Sequence, residues 1–435
     1  MRLFGLHAID WAILVVYVIV ITVIALRVRR RITDTASFFQ ADRSFGKVIT
    51  PFLNFGNMSD VGEVAGVSRE IYRQGLSGIW FSNLVLFHTP FQWFIAAWQR
   101  RARYLAPGDL FLHRYESKFL AGLYAAILVV AAAYGNTFGF LLTGKTLQAM
   151  MVVPVEEYTP SDSARVAQFE RMQELKAMTF ADLASDDREE LGRLVVAEED
   201  DEIGPFISYL DLTTFYIFYA LVILAYTLIG GLFAIAIVDI IQGVLIIFLS
   251  LILIPLGLAA VGGLEGMQSQ VPAAMTDLFG STSNAEYTWY FVAAFALLNL
   301  VVNAPKSFTL GGSAKDDRSA RIGMVSGALA KRFMMLGWAF TGLLAIALYA
   351  GTIADPTHIW GTMTREMLGV GAIGLMIVAI FSANMDGAAT GSLDWLRAKS
   401  VEPTAVILQP STVKRGSTFP NDSGSSTREF VSQKQ

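Results

Sequence analysis

Two long apolar runs limit this chain before any other feature does. "WAILVVYVIVITVIAL" (Trp11 to Leu26) holds no charged residue, and "GGLFAIAIVDIIQGVLIIFLSLILIPLGLAAVGG" (Gly230 to Gly263) holds one, Asp239. An apolar run of about 18 or more residues matches the hydrocarbon core of a bilayer as a helix. Lipid offers no hydrogen-bond partners, so a spanning segment must satisfy its backbone internally. The composition agrees: 16% of residues are charged, where a soluble domain carries about a quarter. The expectation is an all-α polytopic protein of the cell membrane, with the lipid bilayer as its partner. Nine spans are read, at about 9–28, 47–68, 77–98, 119–150, 211–230, 233–261, 286–304, 329–353 and 369–392.

Charge sets the expected orientation. Arg27, Arg29, Arg30, Arg31, Arg43 and Lys47 fall in the first loop. Arg100, Arg101, Arg103, Arg114 and Lys118 fall in the third, and Lys315, Arg318, Arg321, Lys331 and Arg332 in the seventh. Short loops rich in Lys and Arg face the cytoplasm, which leaves the N-terminus outside. Val155 to Pro205 carries 15 acidic and 5 basic residues, a net −10 against −4 for the whole chain, and lies on the outer side by the same reading. Its charged and apolar residues alternate at helical spacing, as one or two short amphipathic helices would. The chain divides into helices one to four (1–154), an acidic extracytoplasmic insertion (155–210), helices five to nine (211–393) and a polar tail (394–435) expected to be disordered. The first apolar run is too long for a cleavable signal and ends in "RVRRR", as a retained anchor does.

The chain has no cysteine and four scattered histidines, so thiol chemistry and a Cys- or His-based metal motif are not expected. No phosphate-binding Gly loop or nucleophile elbow occurs, which argues against a nucleotide-driven pump or an enzyme. The second span is unusual: "FLNFGNMSDVGEVAG" (Phe52 to Gly66) places Asn, Asp, Glu and several Gly in an apolar setting. Gly56 and Gly62 suit an unwound segment between Asn54 and Gly66, because glycine strains least outside helical geometry. The bland alternative is that these glycines only let helices approach closely.

"AYTLIGGLFAIAIVDIIQGVLI" (Ala225 to Ile246) resembles the signature of the sodium:solute symporter family, in which Tyr-Thr-Leu-x-Gly-Gly-x-x-Ala precedes Asp-x-x-Gln. "RRITDTASFFQADRSFG", "AKDDRSARIG" and "GLMIVAIFSANMDG" resemble the family's first loop, its loop after the seventh helix, and its ninth helix. The likeness covers about residues 9 to 393 apart from the insertion. It implies a five-plus-five inverted-repeat transporter fold with an extra N-terminal helix. The second repeat would be incomplete, since only spans seven to nine are present.

The resemblance also implies roles. Non-helical backbone at the bilayer midplane can ligate a cation through its carbonyls. By motif position, the carbonyls of Phe55 and Met58 would face the sodium ion, with Ala383 and Asp386 opposite and Asp239 assisting ion passage. Asp386 and Gly387 stand where the family carries hydroxyl side chains, so the coupling ion is Na+ or H+. Asn57, Asp60 and Glu63 would face the solute. Asn299 and Asn303, four apart on one helical face, would suit a polar solute or interhelical hydrogen bonds. The expected function is ion-coupled movement of a small polar solute by alternating access, with no further cofactor and no nucleic acid. The alternative is a transport-inactive sensor or scaffold, or a truncated symporter.

Overall fold

The computed structural model describes residues 2–104, 108–179, 183–280, 286–302 and 308–385. Apart from one pair of two-residue strands at the N-terminus, the regular structure of these residues is helical. The helices used below are α1 Ala8–Arg29, α2 Ile49–Asn57, α3 Val61–Gln74, α4 Gln92–Ala102, α5 Lys118–Met150, α6 Pro160–Ala177, α7 Ser185–Glu199, α8 Leu212–Val261, α9 Trp289–Val302, α10 Asp317–Tyr349, α11 Ile359–Met367 and α12 Ala372–Met385. Among the described residues α1, α8 and α10 are long and apolar enough to cross a bilayer.

The apolar run of α8 is too long for one crossing. Its 50 residues would extend about 75 Å at 1.5 Å per residue, against a hydrocarbon core of about 30 Å. Gly231 interrupts it, with φ 52° and ψ −162°, a conformation essentially confined to glycine. A side chain there would also meet the Phe38 carbonyl at 2.8 Å. Before the break, α8 runs alongside α1: Phe4 packs on Tyr209, and Ala25 lies against Gly230. After it, α8 runs alongside α10: Trp338 donates its indole N–H to Ser250, and Gly257 abuts Leu344.

The second span is broken as well. α2 ends at Asn57, α3 begins at Val61, and Met58 to Asp60 join them. Both halves lie against the unbroken α10 and run parallel to it. Asn54 donates to the Met324 carbonyl at 2.7 Å, Ser68 to the Trp338 carbonyl at 2.8 Å, and Tyr72 to the Tyr349 carbonyl at 2.6 Å. Small residues permit this approach. Positions 323 and 327 of α10 carry no side chain where Thr50 and Pro51 of α2 press in, and Gly342 does the same for Ile71 of α3.

α10 begins at Asp317, twelve residues before the span read from the sequence. Asp316 caps it by accepting from the Ser319 N–H at 2.7 Å. Lys331 and Arg332, assigned above to the seventh loop, therefore lie in the middle of a helix and are buried. α1 and α12 are also joined. Asp10 Oδ1 accepts from the N–H groups of Gly371 at 2.8 Å and Gly374 at 2.9 Å, which caps α12 from a neighbouring helix.

The acidic segment folds as the pair α6 and α7 around its own small core of Phe169, Met172, Leu175, Leu194 and Ile203. Arg171 pairs with Asp187 at 3.0 Å, and Lys176 with Glu198 at 2.8 Å.

Candidate functional site

The break between α2 and α3 places helix ends in the interior. The C-terminus of α2 turns its carbonyls toward the gap, where the helix dipole favours a cation. The Phe55 carbonyl accepts from the Met58 N–H at 3.2 Å, and the Gly56 carbonyl from Ser59 at 2.9 Å. A carbonyl oxygen has two lone pairs, so one accepted hydrogen bond leaves room for a cation. At the other lip Asp60 is the N-cap of α3: Oδ1 accepts from the Glu63 N–H at 2.9 Å. Asp60 therefore supports the local fold as well as standing at the break.

Ala383 lies across from the start of α3. It is 1% exposed and shares a small apolar cavity of about 20 Å³ with Val61, Ala65, Ser250 and Trp360. That cavity brings together α3, the second half of α8, α11 and α12. Two tyrosines hold the end of α12 in place: Tyr219 of α8 donates to the Phe381 carbonyl at 2.5 Å, and Tyr17 of α1 accepts from Ser382 Oγ at 2.6 Å. Asp239 is buried, 1% exposed, eight residues beyond the Gly231 break in α8.

Glu63 is ion-paired rather than free to face a solute alone. Its Oε2 lies 2.9 Å from Lys331 Nζ, which also donates to Ser82 Oγ at 3.1 Å, while Arg332 donates to the Ser82 carbonyl at 3.1 Å. Lys331 is 3% exposed and Glu63 27%. A buried lysine is tolerated in such a place because a carboxylate and a hydroxyl compensate its charge.

Phe55, Met58, Asn57, Asp60 and Glu63 thus gather at one break, with Ala383 facing the α3 side of it. Asn57 is the last residue of α2 and is half-buried. Asn299 sits elsewhere: α9 packs against the 84–91 segment, and Asn299 donates to the Phe295 carbonyl of its own helix at 2.9 Å. Asn303 and Asp386 lie outside the described residues. The sequence reading missed Lys331, Ser82, Tyr17 and Tyr219. For Lys331 a signal existed, since "DDRSA" is an N-cap pattern and places Lys331 well inside the helix that follows.

The sodium:solute symporter family model matches residues 207–390. A sodium/pantothenate symporter from Haemophilus influenzae is 30% identical over 183 residues, 41% of this chain and 37% of that relative. The alignment thus spans little more than a third of the curated relative's length. In fold, the chain is similar to the solved substrate-bound, outward-open state of a Na+-coupled sialic acid symporter, with a TM-score of 0.59 at 13% identity. That likeness covers 95% of this chain and 76% of the other. Residues 207–390 thus match the sodium:solute symporter family model, and the described chain is similar in fold to a solved Na+-coupled symporter.

Proposed function

We propose that this chain couples an ion gradient, Na+ in the first instance, to the movement of a small polar solute across the cell membrane by alternating access. The observation that supports it most is the buried gap between α2 and α3, with carbonyls on one lip and the Ala383 wall beyond the other. Such an arrangement supplies oxygen ligands without burying a net charge. In this reading Phe55, Met58, Ala383 and Asp386 hold the ion, and Asp239 assists its passage. Asn57, Asp60 and Glu63, with Asn303, line the solute path, and Lys331 joins them through its pairing with Glu63. The N-terminus lies outside, so the acidic insertion is extracytoplasmic. Ion binding orders the gap and raises solute affinity, and the solute raises ion affinity by the same factor.

The test is uptake into proteoliposomes under an imposed Na+ gradient, with pantothenate as the first solute because a sequence relative carries that name. A proton gradient in place of Na+ decides between the two ions. Asp239→Asn and Asp386→Ala are each expected to weaken Na+-dependent thermal stabilisation of the purified protein. Unchanged cation dependence in both variants refutes the ion-site assignment. Absence of uptake across a panel of solutes, together with a retained Na+ response, favours a transport-inactive sensor.

A further inference from the structure

The acidic insertion closes a second, separate space. Residues 203–209 return from α7 across the end of α5, where the Val153 N–H donates to the Ile207 carbonyl and the Tyr209 N–H to the Met151 carbonyl, each at 2.9 Å. Between this return, the end of α5 and the turn before α11 lies a polar chamber of about 270 Å³. Most of its charges are matched in place. Lys145 meets Asp201 at 2.7 Å, Gln148 donates to the other Asp201 oxygen at 3.0 Å, and Arg165 holds the carbonyls of Asp201 and Glu202. Glu198 takes Lys176, and Asp211 caps α8 through the Thr214 N–H.

His358 is the exception. It lines the chamber and is 4% exposed, and neither ring nitrogen makes a hydrogen bond. Asp355 Oδ2 stands 3.6 Å from Nδ1, beyond hydrogen-bond reach, while its Oδ1 accepts from the Thr357 N–H and the Phe206 ring covers the imidazole edge-on at 4.9 Å. His358 is also the residue on which α11 begins. Two positions on, Trp360 lines the small cavity shared with Val61 and Ala383, and Gly361 lies directly on the Thr146 carbonyl of α5. The start of α11 therefore touches the chamber on one side and the wall of the candidate site on the other.

We propose that this chamber is a proton-sensitive latch: the insertion docks over the start of α11 only while His358 is neutral, and protonation of His358 releases it. An imidazolium closed in this chamber would be cut off from water with Lys145 nearby, and its nearest carboxylate oxygen, Asp355 Oδ2, stands at 3.6 Å, beyond hydrogen-bond reach. Burial pushes His358 from 6.5 down to about 4, with Asp355 opposing, Lys145 adding to the fall and Asp201 opposing. In the released state the imidazole meets water and regains its ordinary value. Release is therefore favoured progressively as pH falls from about 6.5 to about 4, and is unaffected by pH above that window. Between pH 7.5 and 5.5 the released-to-docked ratio should rise about tenfold.

Backbone hydrogen exchange reads that ratio even when the released state is rare. The full chain in nanodiscs, without Na+ or solute, makes the result independent of the transport reading. In peptides covering 203–209 and 356–361, protection factors corrected for intrinsic exchange should fall about tenfold between pH 7.5 and 5.5. Peptides within the α6–α7 core should hold theirs. In His358→Gln, or His358→Asn if the longer amide does not fit, the fall should vanish while core protection at pH 7.5 matches the parent. An equal fall in a folded variant overturns the latch. So does a flat profile in the parent, which decides the matter alone if neither variant folds.

Discussion

The ion pair between Glu63 and Lys331 makes the sharpest energetic prediction, because its two ends differ in exposure. Lys331 is 3% exposed and Glu63 27%. Removing one partner of a buried pair costs about 3–5 kcal/mol, mostly because the other charge is left stranded. Glu63→Gln strands the ammonium, which retains Ser82 Oγ as an acceptor but has almost no contact with water. It should cost near the upper end of that range. Lys331→Met leaves the charge on the more exposed of the two side chains, and should cost near the lower end, about 3 kcal/mol. The double variant leaves neither charge unpaired. It should recover about 2 kcal/mol or more relative to the sum of the two single losses. Equilibrium unfolding in mixed SDS and dodecylmaltoside micelles measures all four proteins under one condition. Additive losses, or single variants within about 0.5 kcal/mol of the parent, would refute a coupled buried pair. Uptake then separates stability from function. If the pair faces the solute path, the double variant should be folded and still take up solute poorly.

Three further predictions follow from the backbone. Gly231→Ala forces an L-residue into the conformation at φ 52° and a contact with the Phe38 carbonyl, so it should cost about 1–3 kcal/mol or prevent folding, read by unfolding and gel filtration. Gly122→Ala, in α5 with open space where its side chain would go, should be neutral or slightly stabilising by the same measurements. Asp10→Ala removes the acceptor shared by Gly371 and Gly374, and should cost about 1–3 kcal/mol, with faster hydrogen exchange at 371–375 and little change in α10.

The two breaks were legible in the sequence because their causes are local. Gly230-Gly231 inside a run too long for one crossing calls for a reversal, and glycines beside Asp60 call for an interruption in span two. The structure narrows that interruption to Met58–Asp60 and gives Asp60 a capping role. What sequence reasoning misplaced depends on partners far along the chain. Two adjacent cations in "ALAKRFMML" look like a loop until Glu63 and Ser82, some 250 or more residues away, are brought beside them. Nor can the spacing of Asn299 and Asn303 say which element their shared face will meet.

Placing Lys331 and Arg332 well inside α10, with Arg318 and Arg321 in its first turns, weakens the charge argument for orientation. Helix direction supplies a separate constraint. Asp10 meets Gly371 and Tyr17 meets Ser382, so spans one and nine run parallel. Asn54 meets Met324 and Tyr72 meets Tyr349, so spans two and eight do as well. Phe4 meets Tyr209 and Ala25 meets Gly230, which aligns spans one and five. Each parallel pair must be separated by an even number of steps along a chain that alternates direction at every crossing. The nine-span reading gives eight, six and four. A misplaced boundary such as the one at Lys331 leaves that parity intact, whereas one missed or extra crossing between the members of any pair would break it.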